Sequence, residues 1–197
     1  VVGGGMAGIL TAWYLQRRGI QTVVLEAGRI GSGQTEGTTA KLTCQHGLIY
    51  RKLLDTLGVE RAALYAAANQ RAVSQYRQLI EEKHIDCRFE EKPAYLYTLE
   101  DSEPLKREAE AAQRLGIPAR FTTRTALPFV IKGALRFDGQ AQFHPLELLR
   151  ALADELTIYE RTRVLAAEGN RLETECGTVT AEQIIFCTHY PFLNLPG

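Results

Sequence analysis

An α/β fold built on a parallel sheet is what this sequence predicts, and three features predict it. The chain opens on an apolar pair, Val1-Val2, and a glycine turn, Gly3-Gly4-Gly5-Met6-Ala7-Gly8. A helical stretch comes next, then a second apolar run, Val23-Val24-Leu25, closed by Glu26. Far downstream, a helix beginning at Pro145 leads to strands that end in Ile184-Ile185-Phe186-Cys187, as if the chain returned to the same sheet.

The opening turn has the form G-x-G-x-x-G. In that pattern the first glycine (Gly3) makes the tight turn, and the second (Gly5) lets backbone approach a diphosphate. The third (Gly8) lets the helix lie close on the strands. The helix N-terminus adds unpaired N–H groups and a partial positive charge. An ordinary strand–turn–helix would look the same over this short stretch. The order of elements over residues 6–26 separates the two readings. Residues 6–18 read as a helix with Ile9, Leu10, Trp13 and Tyr14 on one side, Arg17-Arg18 in the last turn and Gly19 as the stop. Residues 20–25 read as a strand buried on both faces. Glu26 then stands where an acid hydrogen-bonds a ribose 2′-OH and repels a 2′-phosphate. This is a Rossmann-like nucleotide-binding unit.

After Glu26 a nicotinamide-binding domain usually enters a second crossover helix. Residues 27–41 instead form a loop rich in glycine, threonine and serine. Its N–H groups and hydroxyls suit phosphates and a polar ring edge. A plain surface loop is the alternative, but its place directly after the acid favours function.

Helices are expected over 48–57, stopped by Gly58, and over 60–83, where alanines give a closely packing face. Residues 87–90 and 94–98 read as two strands around Glu91-Lys92-Pro93, succeeded by a helix over 103–115 and a strand over 129–137. Pro145 suits the first turn of the next helix, whose apolar face is Leu146, Leu149, Leu152, Ala153 and Leu156. Short strands are expected at 158–159, 164–166, 171–174, 178–179 and 184–187. The expected organisation is a discontinuous nucleotide-binding domain, 1–84 and 141–197, and a smaller α+β region, 85–140, forming part of a substrate domain.

Over 197 residues, 45% hydrophobic and 23% charged is the composition of a soluble globular protein. Lys+Arg 23 against Asp+Glu 23 gives no charge for nucleic acid or an anionic membrane. No apolar run approaches the roughly 20 residues of a membrane span. Four cysteines without a short-range framework point to reduced thiols and the cytoplasm. Only two residues precede Gly3, where a strand needs about 5–6, and Pro196-Gly197 come after a strand with no closing element. A piece of a longer protein is therefore expected.

The run from Val1 to Leu42 resembles the FAD-binding N-terminus of the D-amino-acid oxidase and glycine oxidase superfamily. The marks are the three glycines, Glu26, Arg29-Ile30-Gly31-Ser32-Gly33 and Gly37-Thr38-Thr39-Ala40-Lys41-Leu42. Phe143-His144-Pro145-Leu146 resembles that family's mid-chain helix. The stretch from Gly37 to Tyr50 is similar to a bacterial subgroup whose full-length members carry a C-terminal Rieske iron–sulfur domain. The resemblance implies FAD as cofactor, with a 2Fe-2S cluster only if such a further domain exists. It implies an amine or amino acid as small-molecule substrate, oxidised at a C–N bond by hydride transfer to the flavin. Gly3, Gly5, Met6, Ala7 and Gly8 would hold the diphosphate, and Glu26 and Ala27 the adenosine ribose. Gln34, Thr35, Thr39, Ala40 and Lys41 would contact the phosphates and flavin side, and Val164 the adenine. Thr188 would be a contact at the end of the last strand, although His189 stands next to it where the family often has glycine. The family's catalytic residues fall largely in a second half, so none is assigned.

Cys44-x-His46 and Cys187-x-His189 each look like half of a metal motif, but no C-x-x-H occurs to complete a Rieske centre. No metal site is expected. Cys44 and Cys187 read as small buried residues, His46 as a residue near a flavin or at a helix start, and His144 as a helix-entry residue. Two rivals stay open at this point: an NAD-dependent dehydrogenase, which Glu26 suits equally, and a non-catalytic nucleotide-binding fragment.

Overall fold

The computed structural model describes residues 1–190. In chain order the elements are α1 (Met6–Gln16), β1 (Val23–Leu25), β2 (Lys41–Leu42), α2 (Ile49–Glu82), β3 (Glu90–Glu91) and β4 (Ala94–Thr98). Then come α3 (Glu103–Arg114), β5 (Ala119–Thr122), β6 (Gly133–Phe137), β7 (Ala141–Gln142) and α4 (Pro145–Ala153). The last are β8 (Thr157–Tyr159), β9 (Val164–Glu168), β10 (Arg171–Thr174) and β11 (Gly177–Thr180). No helix among the described residues is long and apolar enough to cross a membrane.

Two compact units result, and their division differs from the one the sequence led us to expect. The first holds Val1–Thr39, Ile85–Cys87 and the chain from His144 on; the second holds Ala40–His84 and Arg88–Phe143. The long helical segment α2 thus belongs with the strands that come after it. Its buried Tyr50, Ala62 and Ala66 share one apolar core with Leu105, Ala112, Leu135 and Phe137. Helical periodicity marks a buried face without saying which partner buries it.

In the first unit, Val2 lies in parallel between Leu25 and Phe186, and β1 pairs in parallel with β8. The Val2 N–H donates to the Ile185 carbonyl at 2.9 Å, and the Gly3 N–H to the Leu25 carbonyl at 2.8 Å. The tail therefore does return to the first sheet. Phe186 is nonetheless exposed, so the run 184–187 is not the doubly buried strand its composition implies. Helix α1 is shorter than expected and buries Gly8, Ile9, Ala12 and Trp13. Leu10 and Tyr14 are only half-buried. Helix α4 packs on α1 and buries Leu148, Leu149, Leu152 and Ala153. Its entry is the expected one: His144 Nδ1 accepts the Glu147 N–H at 3.3 Å and Pro145 sits in the first turn. The antiparallel strands β9, β10 and β11 complete the unit, and Val164 and Leu172 bury against Val2 and Leu25.

In the second unit, α3 packs on the antiparallel sheet β4-β6-β5. A smaller sheet runs β2-β7-β3. The strands around Glu91-Lys92-Pro93 are not each other's partners: β3 pairs with β7 and β4 with β6. Strands β2, β5 and β7 were not expected at all. Lys41-Leu42 and Ala141-Gln142 are too brief to show alternation. Gly58, at φ 76°, kinks α2 where the stop was expected.

A carboxylate organises this unit. Glu108, in the middle of α3, is completely buried and accepts the Tyr50 N–H at 2.6 Å and the Arg51 N–H at 2.9 Å. It caps α2 from a neighbouring helix, since that helix has no side-chain cap of its own. The Tyr50 hydroxyl donates to the Cys44 carbonyl, and Gln140 Oε1 accepts the Cys44 N–H at 2.8 Å. Burial pushes up both the Cys44 thiol and the Tyr50 hydroxyl. Replacing Glu108 by Ala strands two amides and should cost about 2–4 kcal/mol of stability, with Glu108→Gln in between, read from urea denaturation midpoints. A midpoint unmoved by Glu108→Ala would contradict the capping role.

Candidate nucleotide site

The glycine turn lies at the centre of the first unit because nothing larger fits it. Gly3 holds φ +108°, and a Cβ there would stand 3.0 Å from the Cys187 carbonyl oxygen. A Cβ on Gly8 would fall 1.8 Å from the Gly3 carbonyl oxygen, so α1 sits against the turn at backbone contact distance. The first-turn amides of α1 point out of the helix without intrahelical partners. No acidic side chain occupies that turn.

Two segments close over the turn. Glu26, at the end of β1, accepts the Gly4 N–H on Oε2 at 2.6 Å and the Gly28 N–H on Oε1 at 2.7 Å. Both oxygens are oriented by backbone and keep further lone pairs for a hydroxyl. The loop after Glu26 folds back so that the Thr35 hydroxyl accepts the Met6 N–H at 3.1 Å. Gly31, at φ +73°, packs under this loop against Leu146 of α4, where a Cβ would come within 2.6 Å.

These pieces enclose a cavity of about 670 Å³, within the usual range for ligand sites of roughly 300–1,000 Å³. Gly3, Gly5, Met6 and Ala7 line it at the turn, Glu26 and Ala27 after β1, Gln34 and Thr35 on the loop, and Val164 and Thr188 on the far segments. Four expected residues do not line it. Gly8 serves packing beneath the turn. Thr39 is exposed outside the lining, and Ala40 and Lys41 belong to the second unit, Ala40 at φ 61° and Lys41 opening β2.

The cavity also has walls outside the contacts expected from the sequence: Arg29, Ser32, Thr162, Arg163, Cys187 and His189. The turn at 161–163 comes there because the Thr162 N–H donates to the Glu26 carbonyl at 2.8 Å and the Arg161 N–H to the Gly28 carbonyl at 2.8 Å. No local motif announces those bonds. Cys44 is buried, Cys187 half-buried and His46 exposed. Among the described residues no group of His, Cys, Asp and Glu is placed to hold a metal ion.

The donor set fits a dinucleotide. A helix N-terminus with amides and no acid suits a diphosphate, an oriented carboxylate suits ribose hydroxyls, and Val2, Leu25 and Val164 supply apolar wall. The sequence pattern of the family described as FAD dependent oxidoreductase matches residues 1–194. The chain belongs to this family. FAD is the cofactor that names it.

Among relatives in sequence, a Bacillus subtilis (strain 168) protein named as a Rieske 2Fe-2S iron-sulfur protein, YhfW, is 37% identical over 208 residues, covering 100% of this chain and 41% of its own length. Gamma-glutamylputrescine oxidoreductase of Escherichia coli (strain K12) is 26% identical over 202 residues, covering 94% and 47%. In fold, the crystal structure of glycine oxidase from Geobacillus kaustophilus superposes with a TM-score of 0.66 at 23% identity, over 92% of this chain and 52% of that one. The chain thus spans about half or less of the length of these family members.

Gly8→Ala should destabilise the protein by about 3 kcal/mol or more, since overpacking meets backbone and no side chain can yield. Gly37→Ala, where a Cβ meets nothing within 4 Å, should leave the urea midpoint unchanged. Equal midpoints for the two variants would contradict the close approach of α1.

Proposed function

We propose that the full-length protein is an FAD-dependent oxidoreductase that oxidises a C–N bond of an amine or amino acid. When bound, the flavin supplies a hydride acceptor for the substrate carbon. This chain's own residues bind and orient the cofactor. The amides of Gly5 and Ala7 would hold the diphosphate, with Met6 beside them and its own amide kept by the Thr35 hydroxyl; Glu26 and Ala27 would hold the ribose, and Val164 the adenine. Gln34 and Thr35 would cover the diphosphate, with Thr188 on the opposite wall. The first unit is read as the cofactor-holding part and the second as part of the substrate side.

The observation that carries this reading is the Thr35–Met6 hydrogen bond. It folds the loop after Glu26 over the helix N-terminus, where a nicotinamide domain would instead leave through a second crossover helix. The names of the relatives support the substrate class: one acts on gamma-glutamylputrescine and another on glycine. The relative named as a Rieske protein supports a 2Fe-2S cluster in a further part of the full-length protein. Balanced charge and free cysteines support a cytoplasmic protein acting on a small molecule rather than on nucleic acid.

The test is anaerobic mixing of the full-length protein, loaded with FAD, with a panel of amines and amino acids. Bleaching of the flavin absorption by at least one of them is expected. A protein that retains NAD and no FAD would overturn the reading.

A further inference from the structure

The cavity carries two guanidinium groups that the fold does not use. Arg29 and Arg163 both line it, and neither is held by a side-chain hydrogen bond or an ion pair among the described residues. Their backbones are tied together. Besides the bonds from Thr162 to Glu26 and from Arg161 to Gly28, the Ile30 N–H donates to Glu160 Oε1 at 2.7 Å. The two arginines therefore stand on neighbouring segments, at the end of the cavity marked by Glu26.

Their place in the cavity indicates what they meet. The diphosphate already has the N-terminus of α1, and the ribose has Glu26, so the part of a dinucleotide beyond the ribose is its base. The wall there is apolar, with Leu25 and Val164 both buried. An apolar wall suits the flat of a purine and not a phosphate. A guanidinium is planar, delocalised and weakly hydrated, and it stacks on an aromatic face as an ammonium does not.

We propose that Arg29 and Arg163 form a clamp on the adenine of the bound dinucleotide, each presenting a guanidinium plane to the base. This rests on the FAD reading of the site. The clamp supplies affinity for the adenosine end and takes no part in the flavin chemistry.

The experiment titrates the full-length protein, stripped of cofactor, with FAD and with FMN, which keeps the flavin and one phosphate but has no adenosine. The Arg29→Ala/Arg163→Ala double variant should raise the FAD Kd by about 10–100-fold, as two cation–π contacts of ordinary strength predict. Its FMN Kd and its urea midpoint should match those of the unsubstituted protein. The Arg29→Lys/Arg163→Lys variant, which keeps the charge but loses the planar stacking face, should recover only part of the lost FAD affinity. An unchanged FAD Kd, an equal weakening of FMN, or full rescue by lysine would each overturn the clamp. If the unsubstituted protein binds no FAD, the reading of function itself falls.

Discussion

The contact between Gly8 and the Gly3 carbonyl sets the geometry on which the first unit depends. With no room for a Cβ, α1 lies so close to the parallel strands that its N-terminus opens into the space above them. Every other part of the site is placed relative to that point. Glu26 reaches back to the Gly4 amide, and the loop after it lays Thr35 on the Met6 amide. The 161–163 turn is bonded to the backbone of Glu26 and Gly28. The cavity is thus the consequence of one close approach and a few backbone hydrogen bonds, with side chains added around it.

The second unit is organised by a different constraint, the satisfaction of buried polar groups. Glu108 inside α3 accepts two amides at the start of α2, and Gln140 accepts the Cys44 amide. Each is a polar group in an apolar core, and each is matched. The same apolar cluster joins α2 to the sheet β4-β6-β5, which is why residues 40–84 pack with the strands beyond them.

The glycine turn, Glu26 and the periodic α1 were legible because their signals are local: spacing along the chain is itself the geometry. The return of the tail to Val2 was also readable, from the order of helix and apolar strand. What escaped depends on contacts distant in sequence. Spacing from Leu105, Ala109 and Ala112 puts Glu108 on the buried face of α3, but the amides it accepts belong to α2, which the sequence of α3 does not show. Arg29 and Arg163 line one cavity only because a turn more than a hundred residues away is hydrogen-bonded to the backbone after β1. The two-residue strands β2 and β7 fall below the length at which alternation can be seen.

The most direct test of the cofactor site is the electron density of the full-length protein crystallised with its bound flavin. The expected result is a diphosphate within hydrogen-bond distance of the amides of Gly5 and Ala7, beside a Met6 amide still held by the Thr35 hydroxyl, and a ribose hydroxyl on the Glu26 carboxylate. A dinucleotide whose diphosphate lies away from the N-terminus of α1, or a nicotinamide nucleotide in this cavity, would contradict it.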